Sequence, residues 1–505
     1  MNDFFSQMNK TLVHSPDNFS VAENGAVGYR TSGKKLLDMN FAVSSLRTSS
    51  DYEIKRRFAE VCGEDLNTAI VWLFFARDCR EGQGERRLFR VCMAYLAEEW
   101  PDKVRAVLPL IAEYGRWDDV VAFIDTPLRD DVVGIITRQL SEDIANMKLG
   151  KPISLASKWL PSGNTSSKET RRKAQFLIEK MNTTPRFYRK MLSSLRKYLD
   201  VTERKMSAGK WGEIKYEGVP SRANLIYSDA FLKHDAERRT EYLSKVEKGE
   251  AKINASVLFP HDIVHKYAKY DRWGRSKPDP AVEELWKALP NWVPEGGSTL
   301  VVADGSGSMT SHVGGTEITC LDVANALAIY FAEKLPEPFR NKYITFSSRP
   351  QLVDLSGANT LLGKLQIAWM HDECSNTNIE AVFRLILNTA VKNHLPQAEV
   401  PHNILILSDM EFDEGTYVRC DASLFDEIAA EYAAHGYKLP RLVFWNIDSR
   451  TKTIPVIENE LGVALVSGFS PTIAKMVMSA QTDPYLCLLE TLNSPRYDAV
   501  REALK

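Results

Sequence analysis

The chain lacks the features that would tie it to a membrane, a disulfide framework or a structural zinc site. Its seven cysteines are odd in number, lie scattered at positions 62, 79, 92, 320, 374, 420 and 487, and nowhere form a Cys-x-x-Cys pair. No apolar run approaches the roughly 20 residues of a membrane span. The first residues lack the basic and apolar regions of a signal peptide. We therefore expect a cytoplasmic protein without disulfides or structural zinc.

The nearly neutral total charge conceals two oppositely charged regions. Residues 151–210 contain 15 basic and 4 acidic side chains, whereas residues 291–505 contain 16 basic and 26 acidic ones. Charge separation of this size is typical of a surface that binds a polyanion. The candidate RNA contacts are the clustered cations of the basic segment: Lys168, Arg171, Arg172, Lys173, Arg186, Arg189, Lys190, Arg196 and Lys197.

Aromatic residues are interleaved with these cations. Phe187, Tyr188, Tyr198 and Trp211 are placed to stack on unpaired bases, while Lys and Arg neutralise phosphates. The alternative is that the rings fill the core and the cations form a solvated face.

A chain of 505 residues exceeds what one core usually serves, so we expect more than one domain. Residues 1–37 are polar and predict a flexible lead-in. Between 38 and 290, apolar residues at three- and four-residue spacing predict consecutive helices, among them 52–62, 65–80, 85–99, 101–114, 117–125 and 130–146. Brief turns between them favour antiparallel pairs stacked as an α-solenoid.

From about residue 291 to 505, strands and helices alternate. Strands are predicted at 299–303, 343–347, 403–408, 442–446 and 463–466, and helices at 320–334, 378–393, 424–435 and 471–479. This alternation indicates an α/β domain with a doubly wound parallel sheet.

Residues 298–310 read STLVVADGSGSMT, so an apolar strand runs into Asp304-x-Ser306-x-Ser308. One carboxylate and two hydroxyls at the carboxyl end of a strand are oxygen ligands that suit Mg²⁺. The same motif also fits an Asx or Ser turn. Two later residues supply further ligands: Thr377 precedes a helical run, and Asp409 ends a second apolar strand. As alternatives, Thr377 caps that helix and Asp409 starts a turn.

These residues, in this order and on these kinds of element, resemble the metal-ion-dependent adhesion site of the von Willebrand factor A family. The resemblance implies that Asp304, Ser306, Ser308, Thr377 and Asp409 converge on one divalent cation, Mg²⁺ or another. It also implies that 291–505 is a von Willebrand factor A-like domain. Its metal would keep an open coordination position for an acidic group of a partner protein or of a neighbouring domain.

The helical part resembles the TROVE module of the Ro ribonucleoprotein family. The resemblance rests on residues 75–87 (FARDCREGQGERR) and 114–119 (YGRWDD). A TROVE-related family with the same two-part architecture shows blocks like 158–161 (KWLP), 201–206 (VTERKM), 218–223 (GVPSRA) and 259–264 (FPHDIV). The resemblance implies HEAT-like repeats closed into a ring, which bind structured RNA outside and single-stranded RNA ends in the central hole.

Residues and resemblance together predict a non-enzymatic ribonucleoprotein scaffold for small structured or misfolded RNA. The alternative is a protein-interaction adaptor that uses the metal site to bind an acidic partner, without nucleic acid. A metal-dependent hydrolase is disfavoured, because one cation held mainly by neutral hydroxyls lacks an evident general base.

Overall fold

The computed structural model describes residues 19–21, 27–29, 31–271, 278–293, 298–347, 349–372, 378–409, 422–448, 464–467 and 483–505. The chain forms two compact units, one of Met1–Asp65 with Leu258–Asn493 and the other of Leu66–Val257 with Ser494–Lys505. Each unit thus combines two separate stretches of the chain. The sequence instead predicted borders after residues 37 and 290.

The chain enters the first unit through two short antiparallel strands and two helices. These are β1 (Phe19–Val21), β2 (Val27–Tyr29), α1 (Lys35–Phe41) and α2 (Asp51–Glu64). The Ser50 side chain caps α2 by accepting a hydrogen bond from Glu53 N. Most of the expected lead-in lies outside the described residues, but α1 begins within it and buries Leu36 and Leu37.

The second unit is all-helical over its first stretch. Its helices are α3 (Leu66–Arg77), α4 (Arg86–Glu99), α5 (Pro101–Val107), α6 (Ile111–Tyr114), α7 (Trp117–Val121), α8 (Arg129–Lys148), α9 (Ala156–Trp159), α10 (Lys168–Lys180), α11 (Pro185–Tyr198), α12 (Thr202–Ser207), α13 (Ser221–Ile226), α14 (Ser228–His234) and α15 (Ala236–Glu247).

The helices predicted before residue 150 are confirmed with two interruptions. The segment predicted as one helix over 117–125 is α7 followed by the 3-10 turn Ala122–Asp125. The segment predicted as one helix over 101–114 is divided into α5, the 3-10 turn Leu108–Leu110 and α6. Pro109 lies in that turn and explains the break, because proline has no N–H and its ring clashes with the preceding helical turn. The closed ring that the resemblance implies stays a prediction.

The two segments that carry the TROVE resemblance meet in the interior of the helical unit. Arg77 donates to Asp119 Oδ2 from Nε and Nη2 at 2.9 and 2.7 Å, and Arg90 Nε donates to Oδ1 at 2.7 Å. The N–H of Arg116 adds a fourth hydrogen bond at 3.0 Å. A Cβ at Gly115 would lie 2.6 Å from Asp119 Oδ2, so a glycine is needed for this close approach. One buried carboxylate therefore joins α3, α4 and α7.

The chain then returns to the first unit, where the elements alternate. They are α16 (Pro260–Asp271), α17 (Pro280–Lys287), β3 (Thr299–Asp304), α18 (Cys320–Lys334), β4 (Lys342–Phe346), β5 (Leu352–Asp354), α19 (Leu361–Met370), α20 (Ile379–Lys392), β6 (Asn403–Ser408), α21 (Ala422–Ala434), β7 (Arg441–Asn446), β8 (Ala464–Ser467) and α22 (Pro484–Leu492).

The six strands β3–β8 form one sheet in the order β5-β4-β3-β6-β7-β8. All neighbours are parallel except the edge strand β5, which runs antiparallel to β4. The order reverses between β3 and β6. This is the topological switch point of a doubly wound sheet, where such sheets bind ligands.

Helices cover both faces of this sheet. On one face, Val302 and Ile406 belong to an apolar cluster with Phe383 of α20 and Tyr432 of α21. On the other face α18 packs on β3 and β6, and thirteen of its fifteen residues are buried. The expected mixed α/β domain is therefore confirmed.

Helices α16 and α17 belong to the α/β unit although the sequence placed them in the helical part. Glu283 of α17 accepts hydrogen bonds from the N–H groups of Leu361 and Leu362 at 2.7 and 3.2 Å, which caps α19. Trp286 Nε1 donates to Glu333 of α18 at 2.9 Å. These contacts explain why the unit begins again at Leu258.

The five predicted strands are confirmed, as are the helices predicted at 320–334, 378–393 and 424–435. The helix predicted at 471–479 lies outside the described residues. The sequence did not reveal β5, which has three residues of which only Val353 is buried, nor α19. Among the described residues, none of the helices combines the length and apolar content needed to cross a bilayer.

After α22 the chain rejoins the helical unit and ends in α23 (Asp498–Ala503). Arg496 pairs with both carboxylate oxygens of Asp78 at 2.8 and 3.1 Å and lies 4.4 Å over the ring of Tyr114. Tyr497 stacks on the same tyrosine with a centroid separation of 5.7 Å. The hydrogen bonds that Asp78 and Arg496 form raise the pKa of the Arg496 guanidinium. Residues 494–505 are therefore an integral part of this unit.

We expect Asp119→Ala to destabilise the helical unit by about 3–5 kcal/mol, because it leaves the buried Arg77 guanidinium without its carboxylate. Native-state hydrogen exchange of the α3 amides measures this change. The control is Asp102→Ala, which removes an ion pair with Arg105 at a side chain that is 92% exposed. That loss is expected to stay below about 1 kcal/mol. Equal effects of the two substitutions would contradict the structural role of Asp119.

Candidate metal and nucleic-acid sites

The expected metal ligands lie at the carboxyl ends of β3 and β6. Strand β3 ends at Asp304, β6 ends at Ser408, and Asp409 follows directly. The parallel register pairs Ala303 with Leu407, so Asp304 and Ser408 are neighbours across the two strands. The switch point of the sheet thus carries two carboxylates.

Hydrogen bonds fold the loop after β3 around the Asp304 carboxylate. Ser306 N donates to Asp304 Oδ1 at 2.8 Å, and the hydroxyl oxygens of Ser306 and Ser308 are 2.9 Å apart. The Asx turn that was the alternative interpretation is therefore formed. It also gathers the carboxylate and both hydroxyls within five residues, so the turn and a metal site are compatible.

The end of β6 contacts this loop. The N–H of Asp409 donates to Met309 Sδ at 3.3 Å, and Met309 lies in the 3-10 turn Gly307–Thr310. Asp304 and Asp409 are 1% and 0% exposed. Burying two carboxylates at one end of a sheet is costly unless hydrogen bonds or a cation offset their charge. The donor set of carboxylates and hydroxyls fits a hard cation such as Mg²⁺.

Four of the five expected ligands are thus described, and Thr377 lies outside the described residues. Its alternative role as a helix cap is filled by the next residue, because Asn378 Oδ1 accepts a hydrogen bond from Ala381 N at 2.9 Å. Within the described ranges no group of three or more His, Cys, Asp and Glu side chains is close enough to hold a metal. The expected magnesium site contains only two such side chains, Asp304 and Asp409, because its other ligands are hydroxyls.

Sequence reasoning missed Ser408. Its hydroxyl donates to Asp304 Oδ2 at 2.5 Å, so both oxygens of that carboxylate accept a hydrogen bond. The available signal was its position directly before Asp409 on a strand expected beside β3.

The nine expected RNA contacts fall into two groups. In the first group, each cation forms ion pairs or hydrogen bonds with other residues of the chain. Arg172 pairs with Asp125 at 2.8 Å and with Glu169 at 2.7 Å, and Lys173 pairs with Glu169 at 3.3 Å. The hydrogen bond from Arg172 lowers the pKa of the Glu169 carboxyl to about 2. These two cations are largely neutralised by acids of their own surface.

Two further arginines of this group form hydrogen bonds to one loop. Arg196 donates to the carbonyl oxygens of Ser157 and Leu160 at 2.7 and 3.0 Å and to Ser162 Oγ at 2.9 Å. Burial lowers the pKa of its guanidinium. From the other side, Arg171 donates to the carbonyl oxygens of Thr165 and Ser166. Both arginines therefore hold the segment 157–166.

The second group is exposed and forms no ion pair with any residue that the structure describes. It consists of Lys168 and four cations of α11, namely Arg186, Arg189, Lys190 and Lys197. In a helix these four positions lie within about 100° of one face. The opposite face buries Tyr188, Leu192 and Leu195.

The expected aromatic residues also fall into two groups, those that pack within the chain and those that are exposed. Tyr188 is buried, and its hydroxyl donates to the Pro161 carbonyl at 3.0 Å. Trp211 stacks on His234 at a centroid separation of 4.4 Å. Phe187 and Tyr198, in contrast, are 59% and 38% exposed along one flank of α11. These two rings can reach a ligand on that helix.

Two family models match the chain, each described as a domain of unknown function: DUF2828 over residues 163–295 and DUF7788 over residues 298–485. The "Uncharacterized protein L728" of Acanthamoeba polyphaga mimivirus is 30% identical over 523 residues, which cover 94% of this chain and 87% of that protein. The chain belongs to the same family as L728. Both the cations of α11 and the loop after β3 lie within segments matched by the family models. Among solved structures, the crystal structure of the Deinococcus radiodurans RO (RSR) protein is similar over 89% of this chain and 99% of that one, with 14% identity and a TM-score of 0.45.

We expect Arg196→Ala to lower the stability of the helical unit by about 2 kcal/mol, because it removes hydrogen bonds from a charged donor to the loop 157–166. Hydrogen exchange of the Leu160 amide, which donates to the Ala156 carbonyl, reports this loss. Lys197→Ala is the matched control, because Lys197 is the next residue, is exposed, and has no ion pair with a described residue. It should change stability by less than about 0.5 kcal/mol. If Lys197→Ala destabilised the unit more than Arg196→Ala, the division of the cations into structural and exposed groups would be refuted.

Proposed function

We propose that this protein is an RNA-binding scaffold, which holds small structured RNA with single-stranded ends, and that a divalent cation at the switch point of its sheet serves a second interaction. The observation that carries the proposal is the exposed face of α11. Four cations there have no ion pair with a described residue, in a segment with eleven more bases than acids. The resemblance to the TROVE module supports the same conclusion.

The physical basis of RNA binding is phosphate neutralisation. Each phosphate contact releases counterions and adds affinity without reference to sequence. Exposed rings beside the cations add stacking with unpaired bases, and Phe187 directly follows Arg186. Cations already paired with Asp125 or Glu169 contribute less, because RNA would have to displace those acids.

The proposed cation would be held by Asp304, Ser306, Ser308 and Asp409, together with Thr377. When bound, it would offer a coordination position to an acidic group of a partner. The residues themselves orient the donors: Ser306 N and Ser408 Oγ fix the Asp304 carboxylate from two sides. We propose binding rather than catalysis, since this donor set resembles no two-metal hydrolytic site.

Reversing the charge of Arg186, Arg189, Lys190 and Lys197 to Glu should weaken binding of a hairpin RNA with a single-stranded tail at least about tenfold. The slope of log K against log salt should flatten by about 3, since each contact to a single strand contributes about −0.7. Fluorescence anisotropy at several salt concentrations measures both quantities. Asp304→Ala is the control and should leave both nearly unchanged. If the charge reversals alter neither quantity, the RNA-binding proposal fails and the adaptor alternative replaces it.

Asp304→Ala should abolish Mg²⁺ binding, which titration calorimetry of the full chain measures. Asp354→Ala is the matched control, because that carboxylate is exposed at the end of edge strand β5 of the same sheet. Circular dichroism should show both variants folded. Mg²⁺ affinity that is the same in the two variants would sink the metal assignment.

A further inference from the structure

A groove of about 1270 Å³ lies along α11 in the helical unit. One wall is the segment from Lys158 to Thr165, the floor is α11, and the far wall is α12 with the residue before it. Six of the lining side chains are cationic and one is acidic. The single acid, Glu203, is paired with Lys158 at 3.5 Å. The groove therefore keeps a large positive excess.

Four of the cations are available to a ligand. Arg186, Arg189, Lys190 and Arg204 line the groove, are exposed, and form no ion pair with a described residue. Along α11 the rise from Arg186 to Lys190 is about 6 Å, close to the separation of successive phosphates in an extended strand. Arg204 faces them from the other wall.

The wall opposite α12 is fixed in place. Arg196 holds it from inside the groove and Arg171 from outside, through the hydrogen bonds to Ser157, Leu160, Ser162, Thr165 and Ser166 described above. Preorganisation of this kind lowers the entropy lost on binding. The two arginines that looked like RNA contacts in the sequence thus shape the site in which other cations bind.

The lining also carries groups suited to bases. Trp159 is a half-buried member of the wall, and the Arg116 guanidinium lies 4.3 Å from the centre of its ring. Hydroxyl and amide groups of Asn164, Thr165 and Ser193 line the same groove. A duplex turns its bases inward and presents phosphates on a convex surface, whereas a single strand can offer a concave groove both phosphates and bases.

We propose that this groove binds single-stranded RNA, with the strand running along α11 between the loop 158–165 and α12. The inference rests on the proposed RNA-binding function and assigns its single-stranded part to one place. Arg186, Arg189, Lys190 and Arg204 contact phosphates. Arg196 is a positioning residue, which acts through the wall it holds.

The test uses the full chain and a labelled oligouridylate of about ten nucleotides, within the range that single-strand sites cover. The groove variant changes Arg186, Arg189, Lys190 and Arg204 to Glu. Its charge-matched control changes Lys148, Lys215, Lys233 and Lys248 to Glu, four exposed cations outside the groove. The groove variant should bind at least about tenfold more weakly than the control, with a salt slope flatter by about 3.

A second pair of variants tests the groove without changing any charge. Ser193→Trp fills the groove, whereas Ser194→Trp places the same ring on the neighbouring position, which lines a different pocket on α11. Ser193→Trp should weaken binding at least about tenfold, an energy comparable to one lost base stack, and Ser194→Trp should not. Equal losses in the two tryptophan variants, or in the two charge-reversed variants, would overturn the groove assignment while the RNA-binding proposal stands.

Competition defines the ligand class. Unlabelled oligouridylate should displace the probe at a concentration at least about tenfold lower than a blunt RNA duplex or polyglutamate does. Displacement by the duplex or by polyglutamate at the same concentration would overturn the single-strand assignment. If the unaltered chain binds neither oligouridylate nor tailed hairpin, the proposed function itself is wrong.

Discussion

The parallel pairing of β3 with β6 is the constraint on which the α/β unit depends. These strands are the centre of the sheet, and their register, with Thr299 opposite Asn403, decides which side chains meet where the strands end. A shift by one residue would turn each side chain to the opposite face of the sheet and would separate the Ser408 hydroxyl from Asp304. Helices pack on both faces of these strands, so such a shift would disrupt side-chain packing on both faces. The proposed cation site therefore draws its geometry from packing that extends well beyond its own loop.

The electrostatics of the helical unit follow a similar rule, because the partner of a charged group decides what that group can do. Arg77, Arg172, Arg189 and Arg196 are chemically identical. Arg77 is buried against Asp119, and Arg172 is paired with surface acids. Arg189 faces solvent, and Arg196 holds a loop. Only a cation of the Arg189 kind retains its charge for a ligand. A basic segment is thus a mixture of ligand-binding, neutralised and structural cations, and its net charge overstates its binding capacity.

The sequence predicted the main architecture because the signals were local. Apolar periodicity identified the helices before residue 150 and the parallel strands, and the pattern of Asp304, Ser306 and Ser308 after a buried strand identified the loop. The remaining features depend on contacts between distant residues. The bond from Ser408 to Asp304 joins positions 104 residues apart, and that from Arg172 to Asp125 joins positions 47 apart. No periodicity encodes such pairs, so the division of the cations, the short edge strand β5 and the membership of α16 and α17 in the α/β unit became evident only in three dimensions.

The interleaved course of the chain has a consequence for biosynthesis. The hydrogen bond from the Tyr114 hydroxyl to the Arg496 carbonyl closes a separation of 382 residues, and Tyr497 completes the aromatic stack beside it. During translation, the helices of residues 66–257 emerge long before the segment that finishes their unit, and the α/β unit must await residues after 258 to join α1 and α2. Contacts of such long range slow folding, because the entropy of loop closure is lost before they form. A nascent chain of this protein therefore exposes unfinished apolar surface in the α/β unit until the stretch from Leu258 to Asn493 is made, and in the helical unit until residues 494–505 follow. Chaperones would find a substrate in this state.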